Sequence, residues 1–251
     1  VQAAHEEAAI FDQSTFGKID VMGESASSFL NRVCANQMDR PAGQAIYTAM
    51  LNERGGFESD LMAVRISENS YRLYVGTTAI KRDLAWLTRN IKTGESVYLN
   101  DVTDTYAVIG LMGPQVEAVA STIGSSALNE IAYFFSDEVE LAGHTVRAVR
   151  LSYIGEAGWE ITCRAEHAKD IYTSISSLGI RPAGLLAQTS MRIEKRFLAY
   201  GHELDTDISP AEVGLDFAVD MKKEFTGRSA LQEKLETGAE NRIVSIVLDG
   251  N

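Results

Sequence analysis

Proline is scarce in this sequence, with only four in 251 residues. No low-complexity or Ser/Gly-rich stretch is present either, so no linker or domain boundary announces itself. Cysteine is scarcer still. Cys34 and Cys163 stand far apart among apolar neighbours. With no CxxC pair and no dense framework, they read as reduced core cysteines in a reducing compartment. Four scattered histidines, in no HxxxH or HxH spacing, give no metal signature. The absence of a P-loop, a GxGxxG or a Ser-His-Asp set disfavours a self-contained ATP, NAD or FAD site. Basic residues are a minority, 23 Lys and Arg against 35 Asp and Glu, for a formal net charge of -12. Phosphate binding needs clustered cations, so nucleic acid is set aside as a partner; Lys81-Arg82 and Lys222-Lys223 read as solvated helix ends or turns. No run approaches the roughly 18 apolar residues that span a bilayer. The start, Val1-Gln2-Ala3-Ala4-His5-Glu6-Glu7, has no basic region leading into an apolar one. The expectation is a cytoplasmic protein (mitochondrial matrix in a eukaryote) away from membranes. What is present is an ordinary globular composition, 45% hydrophobic and 23% charged, able to bury a substantial core.

Two internal echoes organise the chain. Phe16-Gly17-Lys18-Ile19-Asp20-Val21-Met22-Gly23 reads as a strand ending at Gly, followed by a small-residue helix start at Glu24-Ser25-Ala26. Tyr106-Ala107-Val108-Ile109-Gly110-Leu111-Met112-Gly113 repeats the pattern, and Pro114 then occupies a first-turn position. The second echo is a strand, a Gly-bearing connection and a resumed strand. It occurs around Glu53-Arg54-Gly55-Gly56 and again around Gly155-Glu156-Ala157-Gly158. Helical periodicity follows over residues 80–88 and 165–177, then over 185–197, with a further helix starting at 227. The pattern predicts an α+β fold of two interleaved halves, 1–48 plus 140–240 and 49–139, with mostly antiparallel sheets flanked by helices. Val244-Ser245-Ile246-Val247-Leu248 reads as one more strand.

Strand alternation singles out a few side chains. In Phe57-Glu58-Ser59-Asp60-Leu61-Met62-Ala63-Val64-Arg65-Ile66, two carboxylates share a face with Met62, Val64 and Ile66. An acid at the mouth of an apolar surface loses solvation and gains a raised pKa. A pair of solvated acids near a turn fits the same spacing, and both readings stand at this point. Glu160 points away from the apolar pair Trp159 and Ile161, and Tyr153 reads as a rim aromatic. An acceptor carboxylate beside an aromatic wall suits a flat heterocycle with N–H donors. A solvated strand residue satisfies the pattern as well. Arg192 and Glu194 sit in a helix whose last turn is cationic, and His202 fits the turn that follows.

Several segments together resemble the aminomethyltransferase (glycine-cleavage T-protein) family, most of all the folate-binding part of sarcosine and dimethylglycine dehydrogenases. They are Phe11-Asp12-Gln13-Ser14-Thr15-Phe16-Gly17-Lys18, the stretch from Met50 through Gly55-Gly56 to Leu61, Gly110-Leu111-Met112-Gly113-Pro114-Gln115, Ser152-Tyr153-Ile154-Gly155-Glu156-Ala157-Gly158-Trp159-Glu160, Arg181-Pro182-Ala183-Gly184-Leu185-Leu186-Ala187, Arg192-Ile193-Glu194-Lys195 and Pro210-Ala211-Glu212-Val213-Gly214-Leu215. The resemblance implies a catalytic aspartate at Asp60, and tetrahydrofolate contacts from Tyr153, Glu160, Thr78 and Tyr200. It implies one-carbon (aminomethyl or methylene) transfer to tetrahydrofolate, with a small methylated amine or amino acid such as sarcosine or dimethylglycine as the source. FAD would then lie on a separate or missing oxidoreductase domain or subunit. It also implies that 1–240 is the folate-binding region and that 241–251 begins a truncated C-terminal barrel. Two positions depart from the T-protein pattern: Gln188 replaces an arginine and Thr78 an asparagine, which favours the dehydrogenase-linked branch. Two other functions fit the same resemblance, a folate-dependent demethylase of an N-, O- or S-methyl donor and a non-catalytic folate-binding accessory protein. The cysteine-bearing K-G-C-Y type motif of the accessory relatives is missing, since Lys195-Arg196-Phe197-Leu198-Ala199-Tyr200-Gly201 holds no Cys.

Overall fold

Alternating burial along the strands sets the architecture of the computed structural model, which describes residues 1–239 and 241–248. Eleven strands are named among these: β1 (Ala9–Asp12), β2 (Gly17–Met22), β3 (Ala45–Leu51), β4 (Phe57–Ser67), β5 (Ser70–Val75), β6 (Tyr98–Asp101), β7 (Tyr106–Met112), β8 (Ser136–Leu141), β9 (His144–Val149), β10 (Gly158–Arg164) and β11 (Arg181–Ala183). They form two sheets, one in the order β3-β4-β5-β2-β6 and one in the order β11-β1-β7-β10-β9-β8. Every pairing is antiparallel except β1 with β11.

A short helix, α1 (Gln2–Glu6), precedes β1, and each sheet buries one face under later helices. On the first, Ile19, Val21, Leu61, Ala63 and Leu73 pack with Phe29 and Leu30 of α2 (Ala26–Val33) and Leu87 of α3 (Ile80–Arg89). On the second, Ile109, Leu111, Trp159 and Ile161 pack under α4 (Val116–Thr122), α5 (Ala127–Glu130) and α6 (Ala168–Ser176). Trp159 is fully buried, and its indole N–H donates to Leu128 O at 3.0 Å, so a large apolar side chain is buried without leaving a polar atom unmatched. The remaining faces turn toward each other: Ala45, Val64 and Tyr74 of the first sheet form one cluster with Val108, Val149 and Leu151. The order of layers is helix, sheet, sheet, helix, a solution that lets both sheets bury both faces.

The strand-to-Gly echo is repeated in the backbone. Gly23 and Gly113 both adopt positive φ (126° and 142°), and an added Cβ would lie 2.1 Å from Ser96 O or 2.6 Å from Glu7 O. Only glycine accepts both the angle and the approach. The halves expected from the echoes do not match the sheets. β3 crosses the 48/49 division, β2 joins β4, β5 and β6 in the first sheet, β7 joins β1, β9 and β10 in the second, and residues 17–101 supply all of the first. Pairing with a distant strand, invisible in local pattern, decides membership of a sheet.

The later segments close one end. α7 (Leu185–Glu194) is shorter than the periodicity predicts, because Arg196 at φ 57° breaks the helix. Residues 197–208 then cross the β3–β4 hairpin, where Phe57 N–H donates to Asp205 O and Asn52 Nδ2 donates to Thr206 O. α8 (Pro210–Val213) and α9 (Arg228–Thr237) follow, and Val213 and Leu231 share a small core with Leu51 and Phe57. The strand expected at 244–248 is not formed: among the described residues none pairs with it, and Val244, Ile246, Val247 and Leu248 are exposed. A strand exists only within a ladder. Of the expected barrel start at 241–251, residues 249–251 lie outside the described residues. No helix among the described residues is long and apolar enough to cross a membrane.

Candidate functional site

β4 presents Ser59, Leu61 and Ala63 to the helices and Asp60, Met62 and Val64 to the opposite sheet, as the alternation predicts. Ala49 is the cross-strand partner of Asp60, and Tyr47, opposite Met62, is its diagonal neighbour on the same face. The Tyr47 hydroxyl donates to Asp60 Oδ2 at 2.9 Å. The backbone N–H of Tyr200 donates to Oδ1 at 3.3 Å. Burial pushes the Asp60 carboxyl above the ordinary carboxylate range, while the Tyr47 and Tyr200 hydrogen bonds and the Arg82 charge pull it back. The Arg82 guanidinium lies 3.8 Å from the centroid of the Tyr200 ring and pairs with Asp83 at 3.0 Å. Asp83 is itself buried and accepts from Ser59 Oγ at 2.6 Å, which ties α3 to the outward side of β4.

Tyr153 lies in the connection between β9 and β10. Its hydroxyl donates to Leu198 O at 2.7 Å, and its ring stacks on Phe197 at 6.0 Å between centroids. Burial first, then the Asp60 charge, raises its pKa, so Tyr153 and Asp60 share one electrostatic environment. Arg192, which looks in sequence like a helix-end cation, is 4% exposed. It donates to Phe197 O at 2.9 Å and to Glu203 Oε2 at 2.8 Å, and Glu203 in turn accepts from Ala199 N–H at 3.1 Å. Arg192 thus clamps the segment that brings Tyr200 to Asp60 and Leu198 to Tyr153.

Glu160 comes from the other sheet. Trp159 and Ile161 face the helices, so Glu160 faces the layer between the sheets with 8% exposure. Burial pushes its pKa up to about 7, against a weaker lowering by Gln13. Gln13 Nε2 lies 3.5 Å from Glu160 Oε1 and 3.4 Å from Gln188 Oε1. The two sheets also touch through Tyr74 and Thr162, whose hydroxyls are 2.8 Å apart.

Of the residues singled out in the sequence, Asp60, Tyr153 and Tyr200 therefore gather in one place, and Glu160 lines the same inter-sheet layer from the opposite sheet. Thr78 stands in the exposed turn between β5 and α3, at the end of the sheet that carries Asp60, and makes no hydrogen bond with these side chains among the described residues. His202 is exposed in a turn. Sequence reasoning missed Tyr47, Arg82 and Gln13. The register of the β3–β4 hairpin could have found Tyr47, because a short connection fixes which residues oppose Asp60. No local pattern announces the other two.

A family model described as the GCVT N-terminal domain matches residues 1–223. An aminomethyltransferase of Bacillus velezensis is 35% identical over 98% of this chain and 69% of its own. One from Halalkalibacterium halodurans is 36% identical over 98% of this chain and 68% of its own. Among solved structures, the glycine cleavage system aminomethyltransferase T from Bartonella henselae matches with a TM-score of 0.86 at 26% identity, covering 94% of this chain and 65% of that one. The chain thus spans about two-thirds of the length of these relatives. The heterotetrameric sarcosine oxidase from Corynebacterium sp. U-96 matches with a TM-score of 0.52 at 15% identity, covering 76% of this chain and 90% of that one, a likeness of fold alone.

Proposed function

The chain belongs to the GCVT N-terminal domain family of aminomethyltransferases, and from that premise we propose that it transfers one-carbon units to tetrahydrofolate. The observation that carries this reading is the inward-facing Asp60, held by Tyr47 and the Tyr200 amide, across the inter-sheet layer from the buried Glu160. The residues fit the cofactor's chemistry. A buried carboxylate with a single long hydrogen bond retains acceptor capacity for the adjacent N–H donors of a pterin edge. The Tyr153 and Phe197 rings supply aromatic surface of the kind that receives a flat ring. Tetrahydrofolate, when bound, supplies the nitrogens N5 and N10 that take up the one-carbon unit.

In this reading Glu160 and Tyr153 bind and orient the pterin, with Tyr200 and Thr78 as further contacts. Asp60 is the catalytic residue: its carboxylate stabilises positive charge on the incoming methylene and exchanges the proton released there. Its raised pKa suits that exchange, because a carboxyl poised nearer to neutral accepts and returns a proton more readily. The finer form of the proposal is capture of methylene from an oxidised N-methyl amino acid, such as sarcosine or dimethylglycine, produced by an FAD-dependent oxidoreductase domain or subunit. It is supported by Gln188 and Thr78, which stand where the resemblance puts arginine and asparagine in T-proteins.

Calorimetric titration with tetrahydrofolate, followed by product analysis, tests the reading. Methylene-tetrahydrofolate from an iminium or formaldehyde-equivalent donor is the expected product, whereas methyl-tetrahydrofolate would establish a demethylase instead. Asp60→Ala is expected to abolish transfer and to leave tetrahydrofolate affinity within about threefold, less than 1 kcal/mol. Near-normal transfer by that variant would remove Asp60 from the chemistry.

A further inference from the structure

One buried polar group in the inter-sheet layer is oriented against its own interest. Gln13 is 3% exposed, and its Oε1 has no hydrogen-bond partner among the described residues. An unmatched interior acceptor costs roughly 1–3 kcal/mol, so its orientation needs a cause. Gln13 follows Phe11 by two residues and continues the ladder through Gln13 N–H to Val108 O, so it shares the face of Phe11. Phe11, Gly110 and Glu160 form one cross-strand row. Gly110 has no side chain, and the Gln13 amide occupies the space left there: a Cβ on Gly110 would sit 2.7 Å from Gln13 Oε1 and 3.2 Å from Cδ. From this seat the amide nitrogen is turned to two acceptors at once, Glu160 Oε1 at 3.5 Å and Gln188 Oε1 at 3.4 Å. Both contacts are long, at the outer limit of hydrogen bonding, and add little to stability.

We infer that Gln13 is a positioning residue for Glu160: seated on Gly110, it directs its amide N–H donors at one carboxylate oxygen and so keeps the other ready for the N–H donors of a ligand's heterocyclic edge. The inference rests on the folate reading for the identity of that ligand, but not for the coupling between the two side chains. The direction of the Glu160 shift agrees, since Gln13 is the side chain that favours its charged form against burial. Other groups around the carboxyl are accounted for. Gln188 from α7 does not titrate, and Tyr74 from β5, which feels the Glu160 charge, has its own pKa raised by burial. Arg72 and Arg147 act on Tyr74. Arg192, one turn after Gln188, is engaged with Glu203.

The test is Gln13→Leu, read by tetrahydrofolate calorimetry between pH 6 and 9, by thermal denaturation, and by carboxyl carbon NMR of Glu160 in the ligand-free protein. Leucine fills a similar shape without polar atoms, so stability should hold or rise. The Glu160 midpoint should move up from about 7 by about one pH unit. At pH 7 the ionised fraction then falls about fivefold, and tetrahydrofolate should bind about fivefold more weakly, with the deficit closing to within about twofold at pH 9. Gly110→Ala, which pushes the amide off its seat while leaving Gln13 intact, should reproduce the midpoint shift. An unmoved Glu160 midpoint in both variants, or an affinity loss equal at pH 6 and pH 9, overturns the inference. Failure of the unmutated protein to bind tetrahydrofolate at pH 9 overturns the folate reading instead, and the ligand-free titration still decides the role of Gln13.

Discussion

A carboxyl group buried between two sheets lowers stability at any pH where it must ionise, and Glu160 has this property in plain form. Its folded pKa is raised to about 7 from a reference value of 4.5. The folded state therefore holds the proton more tightly than the unfolded chain does. Stability is highest below the unfolded value, declines as pH rises through the interval between the two, and levels off above the folded one. Glu160→Gln removes that decline. The variant should match the parent near pH 4 and exceed it by about 1–3 kcal/mol at pH 8, as measured by chemical denaturation, while tetrahydrofolate binding is lost. Equal pH dependence in parent and variant would mean that Glu160 is not the titrating group. Gains in stability from removing a functional acid are the expected sign of a site kept for binding. Asp60 follows the same direction, with a hydroxyl and an amide N–H offsetting part of the burial.

Among the elements, α7 and the segment behind it determine whether the site is assembled. The helix contributes Gln188 toward the inter-sheet layer and Arg192 toward the following residues, one turn apart on the same side. Arg192 is the sole guanidinium among the described residues bound to both Phe197 O and Glu203. Arg192→Met keeps the volume but leaves Phe197 O without a donor and Glu203 with only the Ala199 N–H. Breaking a buried ion pair costs about 3–5 kcal/mol, and the partial exposure of Glu203 reduces that to about 2 kcal/mol. Hydrogen exchange should accelerate over 197–204, including the Tyr200 amide that reaches Asp60, and transfer should fall with it. Unchanged exchange in that segment would show that the clamp is dispensable. Asp83 plays a comparable part for α3, accepting from Ser59 on the side of β4 that faces away from Asp60.

For the molecule as a whole, the arrangement of layers places the candidate site where neither sheet alone could make it. Asp60 and Tyr47 belong to the sheet built from residues 17–101, and Gln13 and Glu160 to the other. A ligand that touches both sheets stabilises only the assembled molecule. Tetrahydrofolate at 100 times its dissociation constant should add about 2.7 kcal/mol. For a chain of this size that raises the midpoint of thermal unfolding by roughly 5–10 °C. A scanning-calorimetry trace unchanged by saturating ligand would mean that the pterin is not held between the sheets.

The sequence by itself determined the facing of side chains and the local turns. Period-two alternation put Asp60 with Met62 and Val64, and put Glu160 opposite Trp159, because a strand has no other way to orient successive residues. Glycines needing positive φ or close backbone approach marked the two strand-to-helix junctions. The order of motifs gave the family. Only the tertiary structure decided which strands share a sheet, and so the expected halves failed at β2, β3 and β7. Backbone ladder bonds are alike at every residue and do not name a distant partner. For the same reason it alone brought the Tyr200 amide to a carboxylate 140 positions away, and laid the Gln13 amide over Gly110 beside Glu160. Those contacts depend on how two sheets and one helix settle against each other, a property of packing that no window of sequence contains.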